Sequence, residues 1–431
     1  MRRALTTLFA TLAQSLFATL AQSLFATLAL SLFATLALSL FATLALSLFA
    51  TGAAMAQAFE TRATAAWVYD QATGTVLLDK NADEPLPPAS MSKLMTLYMA
   101  FEAVADGRLT IDERLPVSEH AMSYTGSSMF LNTTDRVRVE DLLRGIVVLS
   151  GNDASTVIAE ALSPDGTEAG FARMMTDRAR PLGMLHSTFT NANGWPAAGH
   201  RMSMHDLGIL ADHIIRDFPT FYPMFAETEF LFDGRVPSNT QNRNPILSLG
   251  IGADGLKTGH TQEAGFGLVG SAKQGDRRII FVITGLDSAE ARREEAERIV
   301  NWAFRQFTQR QIGTAGTRFA QADIWMGEAA SVDLVLGADV SLLVPVVAGG
   351  GVAAEVVFQS PIEAPVSAGQ QLGELVITRN GLPEARHPLV AAADVARGGF
   401  AVRMRTAAQV LLAKITPLIA GTPAAAGDSG A

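Results

Sequence analysis

The sequence predicts an α+β domain followed by a small all-β sandwich. Three observations carry that expectation. Two strand pairs, near residues 63–80 and 264–286, bracket a long and mostly helical stretch. An amphipathic helix follows the second pair. From about Thr317 the chain changes to short apolar runs parted by Gly, Pro and Asn turns. At 431 residues there is ample chain for two or three domains, each with its own core.

Residues 1–56 carry only two charges, Arg2 and Arg3. From Leu8 the octad LFATLAQS or LFATLALS recurs five times, ending in Leu48–Thr51. An eight-residue period drifts about 80° per repeat around a helix, so it builds no fixed packing face. A basic start, an apolar run and Ala54-Met55-Ala56 make the three parts of an export signal, about twice the usual length. The alternative is an uncleaved membrane anchor. Either reading sends the rest of the chain across a membrane.

Ala65–Tyr69 and Thr75–Leu78 alternate as strands around the turn-rich Gln71–Gly74. Pro85, Pro87 and Pro88 then interrupt regular structure. A helix is expected from about Ser90 to Ala105, stopped at Asp106-Gly107. Residues 135–220 read as largely helical with short loops. Phe266–Ser271 and Ile279–Leu286 form the second hairpin about Gly275-Asp276. Residues 290–307 place Ile299, Val300, Ala303, Phe304 and Phe307 on one helix face. Val332–Val335, Val340–Val346, Ala354–Phe358 and Leu375–Thr378 supply strands of the β part. The expected division is 57–312 for the α+β domain, 313–400 for the β domain, 401–420 for a weakly basic amphipathic stretch and 421–431 for a disordered tail.

Composition narrows the function. The net charge of −9 argues against a phosphate-backbone partner, so no nucleic acid is expected. With no cysteine there is no disulfide framework, thiolate-held metal or thiol nucleophile. None of the seven histidines forms a His-Glu-x-x-His helix, and no metal or other cofactor is expected. No Gly-x-Ser-x-Gly elbow is present either.

Three short motifs remain. Ser90-Met91-Ser92-Lys93 is the chain's only Ser-x-x-Lys. Three residues apart at a helix start, the hydroxyl and the amine share a face. A serine hydroxyl needs a base, and a lysine serves if burial or a second cation lowers its pKa. The plainer alternative is a helix-capping serine beside a solvated lysine. Ser150-Gly151-Asn152 follows the apolar Ile146–Leu149. It is either a turn before a helix or a hydroxyl and an amide brought to the nucleophile. Lys257-Thr258-Gly259-His260 precedes the second hairpin and suits a sheet edge. There Gly259 would let a substrate backbone approach closely and Lys257 would offer a cation. Otherwise it is an edge strand with a protective lysine. Two of the chain's five lysines sit in these motifs.

Their order and spacing, 60 residues from Ser90 to Ser150 and 107 from Ser150 to Lys257, resemble the penicillin-interacting serine enzymes. Within these, the set Pro88–Thr96, Gly126–Met129, Ser150–Ala154 and Asp254–Gly259 resembles the D-alanyl-D-alanine carboxypeptidases among the low-molecular-mass penicillin-binding proteins. The resemblance covers about residues 60–415. It implies a penicillin-binding-protein/β-lactamase-like transpeptidase domain, an antiparallel sheet flanked by helices. It implies Ser90, Lys93, Ser150 and Asn152 as catalytic residues. Lys257, Thr258, Gly259, His260 and Arg292 would bind a stem pentapeptide ending in D-Ala-D-Ala, with Arg293 the neighbouring alternative to Arg292. The backbone N–H groups of Ser90 and His260 would hold the oxyanion, and Lys257 would keep Lys93 partly neutral. His260 stands where many relatives have Thr. β-Lactams would acylate Ser90, and residues 401–418 would touch the periplasmic face of the cytoplasmic membrane, unless that stretch docks on the β domain. A class A β-lactamase is the first rival, but Leu185–Thr190 offers no acid to activate a deacylating water. A non-catalytic wall-binding protein is the second, although Ser90, Lys93 and Lys257 are all present.

Overall fold

The computed structural model describes residues 59–346, 352–402 and 404–408. The octad segment and the chain beyond 408, including the expected tail, lie outside these residues.

The first strand pair is β1 (Ala65–Asp70) and β2 (Thr75–Lys80). β3 (Arg114–Pro116) and β4 (Arg136–Arg138) form a small separate ladder. Then come β5 (Ala253–Thr261), β6 (Gly265–Gln274) and β7 (Arg277–Leu286). The order β2-β1-β7-β6-β5 makes one antiparallel five-stranded sheet with β5 on its edge. Both expected hairpins are present, and the second runs longer, to the Gly275-Asp276 turn itself.

The run Ile279–Ile283 of β7 is apolar without interruption because both sheet faces are covered. Ile280 and Val282 join Trp67 in one core, while Ile279, Phe281 and Ile283 join Val68 in the other. The helices on the first face are α1 (Lys93–Ala105), α2 (Glu119–Ser123), α3 (Val139–Arg144), α4 (Asn152–Leu162), α5 (Glu168–Ala179) and α6 (Met204–Asp217). α1 is buried on almost every side from Lys93 to Phe101, as its continuous apolar run requires. α7 (Ala289–Gln306) covers the second face with Ile299, Val300 and Ala303. Phe304 is only partly buried there, and Phe307 already begins the next strand. Side-chain oxygens of Ser118, Thr167, Ser203 and Ser288 accept backbone N–H groups at the starts of α2, α5, α6 and α7.

One expectation fails between α5 and α6. Residues 183–203 contain no helix. Asn191 accepts the N–H groups of Asn193 and Gly194 on its side chain, at 3.3 and 2.8 Å. Such local bonds offer the backbone an alternative to helix.

The C-terminal part contains β8 (Phe307–Gly313), β9 (Arg318–Trp325), β10 (Ser331–Leu336), β11 (Val340–Pro345), β12 (Ala353–Phe358), β13 (Ile362–Glu363), β14 (Gln371–Arg379) and β15 (Leu382–Ala391). Six of them order as β12-β14-β15-β10-β9-β13, and β8 pairs with β11. Leu334, Leu336, Leu342, Leu375, Ile377 and Leu389 close a third core between them. After Gly399 a helix covers 400–402 and 404–408, with Phe400 80% and Met404 56% exposed. Its first turns border a hollow against the β9–β10 connection, lined by Val402, Thr406, Ile324 and Met326.

Candidate active site

The proline-rich approach ends in a turn at Ala89–Ser92 that hands over directly to α1. Ala89 sits at φ +48°, an unusual conformation for a residue with a side chain. Neither Ser90 nor Ser92 caps the helix. Lys93 is fully buried, so the solvated lysine is excluded. Its Nζ lies 3.0 Å from Ser90 Oγ and 2.7 Å from Asn152 Oδ1, and also donates to the Asn193 carbonyl. Burial pulls the ammonium down to about 7. Arg243 acts the same way, while Asp153 and Glu168 oppose it. Burial, with Arg243, therefore takes the part that the sequence reading gave to Lys257.

Ser150 ends a π-helical turn (Gly145–Leu149) at φ +59°. A non-glycine residue there costs on the order of 1 kcal/mol, which the surrounding structure must offset. Asn152 opens α4; its Nδ2 donates to the Thr125 carbonyl at 2.8 Å, fixing which end of the amide faces Lys93. Asp153 accepts from Ser128 Oγ at 2.6 Å and from the N–H groups of Met129 and Leu131. The loop 125–131 is thereby fastened to the start of α4.

Lys257 lies on the edge strand but is turned inward, 2% exposed. Its Nζ donates to Ser150 Oγ at 2.9 Å and to the Thr258 carbonyl at 3.3 Å. Burial first, then the charge of Lys93, holds it well below the ordinary lysine range. Thr258 is also buried. At Gly259 a side chain would meet the Pro88 carbonyl at 2.9 Å and Met91 Cγ at 3.0 Å. The glycine is thus required by the Ser90 turn packing onto β5. His260 is exposed and stacks on Phe266, with centroids 3.8 Å apart.

Arg292 is buried in the first turn of α7, its guanidinium 5.6 Å from the Phe266 ring centroid. That guanidinium has no hydrogen-bond acceptor among the described residues, and its Nε is buried without one. Burial, then Arg243, pulls it down to about 10. Arg293 is spent on Glu290 and Glu297 at the surface. Of the two neighbours, Arg292 is the one facing inward. Arg243, exposed at the surface, donates to Ser127 Oγ and has no carboxylate partner among the described residues.

A cleft of about 630 Å³ opens beside Ser90, lined by Ser127, Asn152, Asn193, Trp195, His260 and Glu263. The sequence reading missed Arg243 and Asn193. Arg243 lies in a loop without a distinguishing pattern, and Asn193 contributes a carbonyl, which any residue carries.

A profile of the family described as D-alanyl-D-alanine carboxypeptidase matches residues 51–288. The chain belongs to that family. A second profile, penicillin-binding protein 5 C-terminal domain, matches residues 307–397. The carboxypeptidase DacD of Escherichia coli strain K12 is 35% identical over 347 residues, 78% of this chain and 88% of that protein. Penicillin-binding protein 5 from Haemophilus influenzae superposes with a TM-score of 0.68 at 30% identity, covering 79% of this chain and 99% of the other. Penicillin-binding protein D2 from Listeria monocytogenes, in its ampicillin-bound form, gives 0.52 at 32% identity, over 57% and 99%. As a D-alanyl-D-alanine carboxypeptidase the chain is a serine peptidase, and its fold is that of the penicillin-binding proteins followed by an all-β domain.

Proposed function

We propose that Ser90 is the nucleophile that removes the terminal D-alanine of a peptidoglycan stem pentapeptide, with Lys93 as its base. The observation that carries this is the buried Lys93 amine 3.0 Å from Ser90 Oγ, with its pKa lowered to about 7. Neutral Lys93 takes the hydroxyl proton as Ser90 attacks the penultimate carbonyl. The N–H groups of Ser90 and His260 receive the oxyanion. On collapse the C–N bond breaks, and the proton that Lys93 took passes through Ser150 to the leaving amine, which returns Lys93 to the neutral form. Asn152 keeps Lys93 in place. Water, deprotonated by Lys93, then cleaves the Ser90 ester and releases the shortened peptide.

The terminal carboxylate needs cations. Arg292 and Arg243, both without acidic partners among the described residues, are best suited, and Thr258 would add a hydroxyl donor. Lys257 acts through Ser150, to which its amine is bonded. β-Lactams present a strained amide in place of the peptide bond, and a D2 relative is described in an ampicillin-bound form. Intact-mass analysis after benzylpenicillin should show one adduct carrying the whole antibiotic, mapped to the Ser90 peptide and absent from Ser90→Ala. An adduct on another residue would refute the assignment.

We place the enzyme in the periplasm, on the outer face of the cytoplasmic membrane. Residues 1–56 would act as the export signal and 401–418 as a peripheral contact, with exposed Phe400 and Met404 at its start. Trimming stem peptides there would bear on wall assembly and cell shape. Residues 57–312 would form the enzyme and 313–400 the β domain, with the passage from α7 into β8 at 306/307 just ahead of that division.

A further inference from the structure

Glu168 belongs to none of the three motifs, yet its carboxylate is more than nine-tenths buried beside the site. It opens α5, and both oxygens are fully engaged. Oε1 accepts the Ala192 N–H at 2.9 Å, Asn193 Nδ2 at 3.3 Å and Thr156 Oγ1 at 3.4 Å. Oε2 accepts the Tyr124 hydroxyl at 2.8 Å and lies 2.7 Å from His120 Nε2. The segment it grips is the one that receives Lys93: the Asn193 carbonyl is a partner of Nζ, and the Ala192 carbonyl accepts Thr96 Oγ1 from α1 at 2.6 Å. The same segment forms a wall of the cleft. Trp195 donates its N–H to Asn193 Oδ1, and its ring meets Tyr124 edge-on at 5.9 Å.

We propose that Glu168 is a positioning residue for Lys93, tying the Ala192–Asn193 acceptor segment and the Tyr124–Trp195 wall to the amine. It acts in two ways. Its hydrogen bonds set where the Asn193 carbonyl stands, and its negative charge favours the ammonium form of Lys93. The charges facing Lys93 are Asp153 from α4, Glu168 from α5, Arg243 from the loop before β5, and Lys257 from β5. Buried His200 stands behind the Ser90 turn, bonded to Ser92 Oγ at 2.8 Å, and is held down to about 4, so it stays neutral above that. Facing Glu168 itself are His120, Tyr124 and Glu160.

The proposal rests on Lys93 as the base only for its kinetic consequence, so the test reads Lys93 directly. With five lysines in the chain, ¹³Cε-lysine labelling resolves Lys93, assigned by its loss in Lys93→Met. Glu168→Gln keeps the shape and deletes the charge. Its Lys93 titration midpoint should fall by about half a pH unit or more, and the acid limb of D-alanine release should fall with it. Glu168→Ala also deletes the acceptors. Penicillin acylation at pH 9, where Lys93 is neutral, should then drop about tenfold or more, and Glu168→Gln should restore most of it. A Lys93 midpoint unmoved in folded Glu168→Gln would overturn the proposal, whatever the alanine variant does. A moved midpoint with an unmoved acid limb would uphold the positioning role and refute Lys93 as the base.

Discussion

Gly194 packs where the nucleophile turn and the 191–195 segment touch, and adding one methyl group there should disable Ser90 while leaving a folded enzyme. Gly194 has φ +79°, and a Cβ on it would stand 1.9 Å from the Ala89 carbonyl oxygen and 2.6 Å from its carbon. Contacts below 3.0 Å are essentially never seen, so Ala89 or Gly194 must move by roughly 1 Å. Ala89 is the residue before Ser90. The left-handed conformation costs about 1–2 kcal/mol for alanine, and the crowding adds about 1–3 kcal/mol. Gly183 is the control: φ +88°, with nothing within 4 Å of the added carbon. Gly183→Ala carries the conformational cost alone. Thermal melts should therefore show a larger loss for Gly194→Ala. Acylation by a fluorescent penicillin should fall about 100-fold for Gly194→Ala, the usual consequence of a displacement of about 1 Å at a reacting group, and stay near the parent rate for Gly183→Ala. Equal stability losses in the two variants, or parent-like acylation by Gly194→Ala, would refute the reasoning.

Acylation should rise with pH about tenfold between pH 6 and pH 8, because only neutral Lys93 can accept the Ser90 proton and its pKa is lowered to about 7. A rate flat from pH 5 to 9 in stopped-flow acylation would exclude that base. Arg292→Ala and Arg243→Ala should each lower kcat/KM for a peptide substrate about tenfold or more, by removing a charged hydrogen bond to the terminal carboxylate. Arg293→Ala, paired at the surface with Glu290 and Glu297, should stay within about twofold. Phe400→Ser with Met404→Ser should shift the enzyme from vesicles of anionic phospholipid to the supernatant in a sedimentation assay. Unchanged partitioning would favour docking of that helix on the β domain.

What the sequence made legible was local. Ser90 and Lys93 are three residues apart, both hairpins alternate, and the Ile299–Val300–Ala303 face repeats with the helical period. What stayed hidden depended on distant chain. Asn193 is 100 residues from the lysine it receives. Arg243 meets Ser127 across 116 residues from an unpatterned loop. Glu168 reads as an ordinary acidic residue at a helix start. The strand β8 is mostly polar, and β15 contains Pro383 and Pro388, which argue against an interior strand. Yet β15 lies between β14 and β10, with register shifts along its pairing to β14. The sequence left burial or a second cation open as the cause that lowers the Lys93 pKa, and burial inside α1 is the larger. Burial is a property of the assembled fold and no four-residue motif displays it.

The central claim is that Ser90 carries the carboxypeptidase chemistry. It is tested most directly by D-alanine release from a diacyl-Lys-D-Ala-D-Ala peptide, comparing the parent chain with Ser90→Ala. The account predicts one D-alanine per peptide from the parent and none above background from Ser90→Ala. Release by Ser90→Ala at the parent rate would contradict it.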